Sequence, residues 1–360
     1  MTGTVMITTG GTGGHVFPGL AVAARLIARG WRVFWLGTHE GLEAKLVPQH
    51  GLDFEPIHFA GVRGKGLKRL LLGPYALIAA FVQSLSIIRR RDPDVVLGLG
   101  GFASFPGALM GVACNKPLVI HDANAVAGLA NRILAYGADR ILLGFPDALR
   151  GAHAGKAEWV GNPVRDDIAA LPLPEERFRT RSGPLRLLVL GGSLGALALN
   201  ERVPSALALL PEPSRPIVTH QAGEKHIATL RATYAAVGVA AECVAFIEDM
   251  AQRYAEADLV ICRAGGLTVA ELAVAGIGAL LVPLPGAIAD EQTQNARFLV
   301  AAGGAVLIPQ VELTPERLAG FLRDASRASM LELAIAARKV GRADAAERVA
   351  AVCVALAERA

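Results

Sequence analysis

Residues 4–19 read TVMITTGGTGGHVFPG, a short apolar strand that runs into a glycine-rich loop. We predict that a helix follows from Pro18 to Arg29, because Gly30 stops it. Glycines in such a loop allow positive φ angles and let another group approach the backbone closely. Backbone amides at the start of a helix favour an anion. The stretch therefore predicts a strand–loop–helix unit that binds an anionic group.

The glycine spacing of this loop separates it from two common nucleotide sites. It has neither the GxGxxG register of dinucleotide-binding loops nor the GxxxxGK[ST] pattern of P-loops. No acidic residue stands at a convincing strand end about 20 residues farther on, where a dinucleotide fold holds the ribose. NAD binding is therefore disfavoured.

The first half of the chain alternates strands and helices. A helix is predicted over Gly41–Gln49, and the apolar runs are WRVFWLGT, DVVLGLG, PLVIHDA and RILLGF, which begin at residues 31, 94, 117 and 140. Near-continuous apolar strands separated by helices are typical of a parallel sheet that is covered on both faces.

The pattern starts again at Leu185 with LRLLVLGGSLGALALNERV. Five further strands are predicted from PIVTHQAG, ECVAFI, DLVICRAG, GALLVPLP and GAVLI, which begin at residues 216, 242, 258, 278 and 304. We therefore predict an α/β protein with two Rossmann-like, doubly wound domains that face each other across a cleft. The expected domains are residues 1–162 and 163–340, with a C-terminal helix in 341–360 that packs back toward the first domain.

Composition limits the classes of function. Of 360 residues, 52% are hydrophobic and 5% aromatic, and no nucleic-acid-binding motif is present, so nucleic acid is not an expected partner. The four cysteines are scattered without disulfide or metal-ligand spacing, which favours reduced thiols in the cytoplasm. We expect no secretory signal, metal or cofactor, and we interpret Asp92-Pro93-Asp94 as a turn between a helix and a strand.

One segment is close to the length of a membrane span. Leu70–Ile88 reads LLLGPYALIAAFVQSLSII, but Gly73-Pro74 interrupts it early, so we expect a partly buried helix that starts after Pro74. Basic residues bracket the segment: Arg63, Lys65, Lys68, Arg69 and Arg89–Arg91. They suit an anionic membrane surface or, equally, a solvated basic face.

Four motifs carry the candidate chemistry. His15, at the end of the first loop, can act as a general base or can merely brace the loop. Ser193, in the second loop GGSLGA, can donate to a phosphate oxygen, or the loop can be a tight turn. Glu271, in CRAGGLTVAE, can accept hydrogen bonds from a ribose diol or can complement the helix dipole. Residues 290–295, DEQTQN, supply amides suited to sugar hydroxyls.

Taken together, these stretches resemble a known family. GGTGGHVFPGLAVA, GVRGKG, DVVLGLGGF, VGNPVR, GGSLGA, CRAGGLTVAELA and DEQTQNA occur in the order found in the MurG family. These bacterial N-acetylglucosaminyltransferases convert lipid I to lipid II in peptidoglycan synthesis. The resemblance runs from about residue 5 to the C-terminus and implies the GT-B fold, an inverting transfer of GlcNAc from UDP-GlcNAc to the C4 hydroxyl of lipid I, and no metal.

The resemblance also implies a role for each matching position. Thr12, Gly13 and Gly14 would adjoin the donor and the acceptor diphosphate, Asn124 would reach the donor sugar, and Arg165 and Ser193 would lie near the nucleotide diphosphate. Ile247 would pack near uracil. Gly266, Leu267, Thr268, Val269, Ala270 and Glu271 would wrap the nucleotide, with Glu271 on the ribose, and Gln292 would bind GlcNAc hydroxyls. His15 is the expected base.

The family further implies a location and partners. The enzyme would lie on the cytoplasmic face of the plasma membrane as a peripheral protein, and it would act in cell-wall biogenesis, cell shape and cell division. Lipid I, an anionic membrane surface and other cell-wall synthesis proteins are the implied partners besides UDP-GlcNAc.

Two alternatives stay open at this point. The chain departs from the common family pattern at His121-Asp122-Ala123-Asn124, where HEQN is usual, at Leu194 in place of glutamine, and at Glu291. A GT-B transferase with a different acceptor, or an inactive UDP-GlcNAc-binding homologue, would also fit these motifs.

Overall fold

The computed structural model describes residues 3–59, 67–149, 153–192, 195–287 and 290–359, apart from the side chains of residues 67–72 and 154. The chain divides into two compact units. The first comprises Met1–Arg165 with Arg342–Ala360, and the second comprises Asp166–Gly341.

The first unit is a parallel sheet. In the described part of the chain it has seven strands, namely β1 (Thr4–Thr8), β2 (Arg32–Thr38), β3 (Asp53–Ile57), β4 (Val95–Gly98), β5 (Leu118–Asp122), β6 (Arg140–Leu143) and β7 (Ala157–Trp159). Their order is β3-β2-β1-β4-β5-β6-β7, and every pairing is parallel. The four predicted strands after the first are confirmed as β2, β4, β5 and β6.

Two strands of this sheet escaped the sequence analysis, and both lie at its edges. β3 reads DFEPI and is only partly buried, so it lacks the apolar run that marks the central strands. Its proline is tolerated because an edge strand needs only one row of ladder hydrogen bonds. β7 is three residues long.

Helices cover both faces of the first sheet. They are α1 (Gly13–Ala28), α2 (Leu42–Gln49), α3 (Leu67–Arg91), α4 (Ser104–Ala113) and α5 (Leu129–Leu134). Side chains of β1 alternate between the two cores: Val5 and Ile7 pack with α1, whereas Met6 packs with α3 and α4. This period of two is what burial on both sides of a strand requires.

Two helices begin earlier than predicted, and in both cases a proline lies inside the helix. α1 starts at Gly13 rather than Pro18, and α3 starts at Leu67 rather than after Pro74. A proline removes the hydrogen bond to the carbonyl four residues before it, and its ring crowds that carbonyl, so a helix continues through it only at a local energetic cost. The consequence for α1 is that Gly13, Gly14 and His15 form its first turn.

α3 ends at Arg91 and β4 begins at Val95, so Asp92-Pro93-Asp94 is the predicted turn. Asp94 accepts a hydrogen bond from the backbone amide of Thr4 at 2.7 Å, which ties this turn to β1. No helix in the described ranges combines enough length and apolarity to cross a bilayer.

The second unit repeats the architecture. Its helices and strands are α6 (Asp166–Ala169), α7 (Pro174–Arg179), β8 (Arg186–Leu190), α8 (Leu197–Ala208), β9 (Ile217–Gln221), α9 (Ile227–Ala236), β10 (Glu242–Val244), α10 (Met250–Glu256), β11 (Leu259–Cys262), α11 (Gly266–Ala275), β12 (Gly278–Leu281), α12 (Glu291–Ala301), β13 (Ala305–Leu307), α13 (Pro315–Asp324) and α14 (Arg327–Val340). The described strands pair in parallel in the order β10-β9-β8-β11-β12-β13. All six strands predicted here are confirmed.

The last helix, α15 (Ala345–Ala357), belongs to the first unit although it follows the second in the chain. Its face of Ala346, Val349, Ala350 and Cys353 is buried in the core that contains α1. The first sheet therefore depends on a segment separated from it by the whole second unit.

Val349→Ala should lower the unfolding free energy of the first unit by about 2 kcal/mol, because Val349 has no exposed surface and truncation leaves a cavity. Differential scanning calorimetry measures the change. The control is Val82→Ala in the same unit, where the valine is 62% exposed. Equal unfolding temperatures for the two variants would contradict the role assigned to α15.

Candidate functional site

Each sheet has a point at which successive strands diverge to opposite sides. In the first unit it lies between β1 and β4, because β2 and β3 extend the sheet one way and β4 to β7 the other. In the second unit it lies between β8 and β11. Ligands of open parallel sheets bind beyond the carboxyl ends of the strands at such points. The glycine-rich motifs follow these strands.

The loop after β1 packs directly on the loop after β4. The Thr9 hydroxyl donates to the Gly100 carbonyl oxygen at 2.8 Å. A side chain at Gly101 would stand 2.5 Å from the Gly10 carbonyl oxygen, and Gly101 has φ +79°. Gly11 has φ +103°. These glycines are therefore required for contact between the two loops as well as for turning.

Thr12 is the N-cap of α1, and its side chain makes no capping hydrogen bond. The residue is exposed. Gly13 and Gly14 follow as the first residues of the helix, where amides have no acceptor within the helix. The first turn of α1 thus has backbone amides without acceptors in the helix, and the binding of an anion there stays a prediction.

His15 is held by the loop after β4. Its Nδ1 lies 3.1 Å from the Leu99 carbonyl oxygen. A carbonyl oxygen can only accept, so Nδ1 carries the proton and Nε2 keeps its lone pair. Burial lowers the pKa of His15 below its ordinary value, and the charges of Asp122 and Glu43 together with the Leu99 bond oppose this shift. His15 is therefore a neutral imidazole with a free basic nitrogen near neutral pH.

Asp122 is a buried carboxylate that the sequence analysis noted only as a departure from a pattern. It is 3% exposed at the end of β5. It accepts hydrogen bonds from Asn131 Nδ2 at 2.9 Å and from the backbone amides of Gly128 and Asn124, each at 3.1 Å. Burial raises its pKa, and these bonds act against the rise. Asp122 thus organises the loop that carries Asn124.

Two further hydrogen bonds brace the same end of β5. His121 is fully buried and donates from Nε2 to the Gly161 carbonyl oxygen at 3.0 Å. Burial lowers its pKa to about 4. Asn162 Nδ2 donates to the Ala123 carbonyl oxygen at 3.0 Å. Asp122 and the Ala123 carbonyl, where the chain departs from the family pattern, therefore both have hydrogen-bond partners.

Arg165 is the last residue of the first unit before the chain enters the second unit. Its guanidinium lies over the Phe17 ring on α1, 5.4 Å from the centroid. This predicted site residue is therefore held beside the helix that carries His15.

In the loop after β8, two glycines lie so close to other backbone atoms that a side chain would not fit. A side chain at Gly195 would stand 2.3 Å from the Ala222 carbonyl oxygen, and one at Gly191 would stand 2.8 Å from the Ala196 amide nitrogen. Ser193 and Leu194 lie outside the described residues. The predicted contact between Ser193 and a diphosphate stays a prediction.

A buried polar network supports this loop. His220 on β9 contacts the Tyr234 hydroxyl through Nδ1 at 2.9 Å and the Asn200 Oδ1 through Nε2 at 3.1 Å. Asn200 Nδ2 donates to the Ala222 carbonyl oxygen at 3.3 Å. Because Gly195 packs on that same carbonyl, the network and the loop share one anchor.

The predicted nucleotide-binding residues Gly266, Leu267, Thr268, Val269, Ala270 and Glu271 form the first two turns of α11, and Gly265 is its N-cap. Val269 has no exposed surface, and its amide donates to the Gly265 carbonyl oxygen at 3.0 Å. It therefore packs the helix into the sheet rather than offering a surface to a ligand.

Glu271 is 8% exposed and accepts a hydrogen bond from the Tyr254 hydroxyl at 3.2 Å. Tyr254 lies on α10 and is itself buried. The hydroxyl bonds one carboxylate oxygen, Oε2, and so restricts the orientation of the carboxylate. Sequence reasoning missed Tyr254, because a lone tyrosine on a short helix carries no signal of a site.

Gln292 and Asn295 on α12 bind the loops after β11 and β12. Gln292 Oε1 accepts from the Leu284 amide at 3.0 Å and from the Ala264 amide at 3.3 Å. This use of its oxygen makes the Gln292 NH₂ group the part of the side chain suited to a ligand, as a donor. Asn295 Nδ2 donates to the Ala264 carbonyl oxygen at 3.0 Å.

Ile247, in the segment after β10, is 7% exposed, whereas its neighbour Phe246 is 54% exposed. The ring of Phe246, which the sequence analysis passed over, is therefore the larger accessible apolar surface of this segment. Within the described residues, no group of three or more His, Cys, Asp or Glu side chains is arranged to hold a metal ion.

Comparison with known proteins gives two matching domain families. Residues 5–143 match the Glycosyltransferase family 28 N-terminal domain, and residues 186–349 match the Glycosyltransferase family 28 C-terminal domain. Similar proteins from Ralstonia nicotianae and Dechloromonas aromatica are 57% and 56% identical. They match 98% and 99% of this chain and 96% and 100% of their own lengths. Both are named UDP-N-acetylglucosamine–N-acetylmuramyl-(pentapeptide) pyrophosphoryl-undecaprenol N-acetylglucosamine transferase.

Two solved structures are also similar to this chain. The crystal structure of Acinetobacter baumannii MurG is similar with a TM-score of 0.84 and 37% identity, covering 98% of this chain and 99% of its own. The calicheamicin glycosyltransferase CalG4 has a TM-score of 0.69 at 16% identity, covering 100% of this chain and 99% of its own, which shows a shared fold alone.

His220 should make stability depend on pH. Burial lowers its pKa from 6.5 to about 3, so the unfolded chain binds the extra proton between these values and stability falls as pH decreases through that window. Between pH 7 and pH 5 the loss from His220 is about 2 kcal/mol. His220→Gln should lose correspondingly less over that interval in urea unfolding, although it starts from a lower stability. Parallel pH profiles for the two proteins would contradict this.

Proposed function

Since the chain belongs to the MurG family, within glycosyltransferase family 28, we propose how its residues carry out the reaction of that family. It transfers N-acetylglucosamine from UDP-GlcNAc to N-acetylmuramyl-(pentapeptide) pyrophosphoryl-undecaprenol, which converts lipid I to lipid II. Its two parallel-sheet units have the GT-B fold predicted from the sequence. The observation that carries this function is the match to such transferases over nearly the whole chain, at 57% identity.

His15 is the general base in this proposal. Its Nε2 takes the proton of the acceptor C4 hydroxyl as that oxygen attacks C1 of the GlcNAc group. The bond between C1 and the UDP oxygen breaks, UDP leaves with the bonding electrons, and the configuration at C1 inverts. Support comes from the Leu99 carbonyl, which fixes the tautomer with Nε2 unprotonated, and from Asp122, whose charge stabilises the imidazolium.

Residues of the second unit hold the donor. The first turn of α11, Gly266 to Thr268, and the Ser193 loop stabilise the negative charge that grows on the leaving UDP. Glu271 accepts hydrogen bonds from the ribose hydroxyls, and its bond to Tyr254 supports this role. The NH₂ group of Gln292 donates to GlcNAc hydroxyls. Ile247 and the exposed Phe246 ring form the apolar contact for uracil.

Residues of the first unit contact both the acceptor and the donor. The amides at Thr12, Gly13 and Gly14 receive the acceptor diphosphate, because the first turn of a helix favours an anion. Asn124 reaches the donor sugar, and the contacts around Asp122 that order its loop support this. Arg165 lies near the nucleotide diphosphate as a cation, and its position over Phe17 limits its freedom.

The protein binds the cytoplasmic face of the plasma membrane as a peripheral protein, through α3. Tyr75, Ile78 and Val82 lie on one side of this helix and are 73%, 59% and 62% exposed. Arg63 and Lys65 lie outside the described residues. Arg90 and Arg91 form ion pairs with Glu55 and Asp53, so only part of the predicted basic bracket is available to lipid. Roles in cell shape and division, and contacts with other cell-wall synthesis proteins, complete the proposal.

His15→Ala should lower kcat at least 100-fold and leave the affinity for UDP nearly unchanged, because it removes the base and no donor contact. UDP release from UDP-GlcNAc, with and without a lipid I analogue, measures kcat, and calorimetry measures UDP binding. Glu271→Gln should have the opposite effect, because it changes a donor contact and keeps the base. Its KM for UDP-GlcNAc should rise by a larger factor than its kcat falls. Wild-type turnover in His15→Ala would eliminate His15 as the base.

The same assay decides between the alternatives. An inactive homologue would bind UDP-GlcNAc and release no UDP when the lipid I analogue is added. A transferase with another acceptor would release UDP only with that acceptor.

Ile78→Asp should reduce binding to phosphatidylglycerol vesicles about tenfold or more, because it removes an apolar contact and puts a carboxylate against an anionic surface. Co-sedimentation with vesicles measures it. Val311→Asp is the control, since Val311 is 83% exposed in the second unit. If Val311→Asp lost vesicle binding and Ile78→Asp kept it, α3 would not be the membrane contact.

A further inference from the structure

Glu43 is a carboxylate buried beneath the first glycine loop. It lies in the first turn of α2 and has no exposed surface. Its Oε2 accepts a hydrogen bond from the Gly11 amide at 2.9 Å. Its Oε1 accepts from the Thr38 amide at 3.0 Å and from the Thr38 hydroxyl at 2.7 Å. One side chain thus connects the glycine loop to the end of β2.

Three glycines make room for this carboxylate. A side chain at Gly10 would stand 2.2 Å from Glu43 Oε1, and one at Gly41 would stand 2.1 Å from both oxygens. One at Gly37 would stand 2.6 Å from Glu43 Cγ. The glycine content of this region therefore follows from the position of Glu43 as much as from any ligand.

Burial of a carboxylate is unfavourable unless its oxygens are hydrogen-bonded. Here three donors and the amino end of α2 supply that compensation. A carboxylate bonded by several donors holds them in one arrangement, because any displacement leaves a buried charge unsatisfied. The Gly11 amide is one of those donors, so the loop is fixed where it turns into Thr12.

The contacts continue from Gly11 to His15. Thr12 is the N-cap of α1, and its carbonyl oxygen accepts from the His15 amide at 3.0 Å. The His15 imidazole then contacts the Leu99 carbonyl oxygen in the loop after β4. Glu43 cannot contact a substrate itself, because it has no exposed surface. Any effect on the reaction must pass through the loop or through its charge.

We propose that Glu43 is a positioning residue for the transfer reaction, and that its buried carboxylate holds the Gly10–Thr12 backbone so that His15 and the first turn of α1 meet the acceptor. The proposal rests on the proposed function for the assignment of His15 as base. The hydrogen bonds of Glu43 with Gly11 and Thr38 form a latch on the glycine loop, and the latch does not depend on the role of His15.

Glu43→Gln tests the latch with little change in volume. Its amide oxygen can still accept from Thr38, but its NH₂ group would face the Gly11 amide, donor against donor. We expect kcat to fall about 10- to 100-fold, with KM for UDP-GlcNAc within about twofold of wild type, because a misplaced base slows the reaction without weakening donor binding. Glu40→Gln is the matched control, since Glu40 is exposed on the same segment and should behave as wild type.

The pH profile gives a reading that a general loss of structure would not produce. The charged groups acting on His15 are Asp122, after β5, and Glu43, on α2; His121 lies next to Asp122 and interacts with His15. Both carboxylates raise the pKa of His15. Removal of the Glu43 charge therefore lowers that pKa, and the acid limb of kcat/KM should move to lower pH in Glu43→Gln and not in Glu40→Gln.

Hydrogen exchange tests the latch without reference to activity. Amides of residues 11–15 should exchange faster in Glu43→Gln than in wild type, and those of α11 should be unchanged. If the wild-type protein transferred no GlcNAc, the proposed function would fail while this result still supported the latch. Unchanged exchange at residues 11–15 would overturn the latch whatever the activity.

Thr38→Val covers the case in which Glu43→Gln fails to fold. It removes the hydroxyl donor and keeps both backbone donors and the Glu43 charge. The changes in kcat and in exchange should therefore appear at smaller size, while the acid limb stays in place. Wild-type kcat and exchange in Thr38→Val, together with wild-type kcat in any folded Glu43 variant, would overturn the proposal.

Discussion

Both units depend on a first strand that has parallel neighbours on its two sides. β1 lies between β2 and β4, and β8 lies between β9 and β11. The helices that follow β1 and β4 pack on opposite faces of the sheet, so the chain leaves these two adjacent strands toward opposite faces. This divergence fixes where a ligand can reach backbone amides. His15 and Glu271 lie just after two of these strands, β1 and β11. Asn124, Ile247 and Gln292 come after other strands, namely β5, β10 and β12.

The loops at these points are held by buried polar groups rather than by apolar packing alone. In the first unit these groups are Glu43, Asp122 and His121. In the second unit they are Asn200, His220 and Tyr234, which form one hydrogen-bonded network. Each group is costly to bury unless its partners are in place, so the loops have few alternative arrangements. Such preorganisation is what a site needs in order to stabilise a developing charge at once.

Sequence reasoning was most successful where the signal is local. The central strands were predicted from their apolar runs, whereas β3 was missed because DFEPI is an edge strand that is half exposed. The starts of α1 and α3 were wrong because a proline marks a lost bond and not necessarily the end of a helix. In the site, His15, Glu271 and Gln292 could be named from motifs. Tyr254, Asp122 and Glu43 could not, because each acts through contacts with residues distant in the chain.

The sequence by itself determined the class of fold, the glycine loops and the family, because periodicity and motif order are properties of neighbouring residues. The tertiary structure decided which atoms are available for chemistry. It gave His15 its tautomer through Leu99, directed the oxygen of Gln292 to backbone amides and removed Val269 from the accessible surface. The reason is that hydrogen-bond partners and burial are set by residues that meet only when parallel strands bring separate loops to one edge of a sheet.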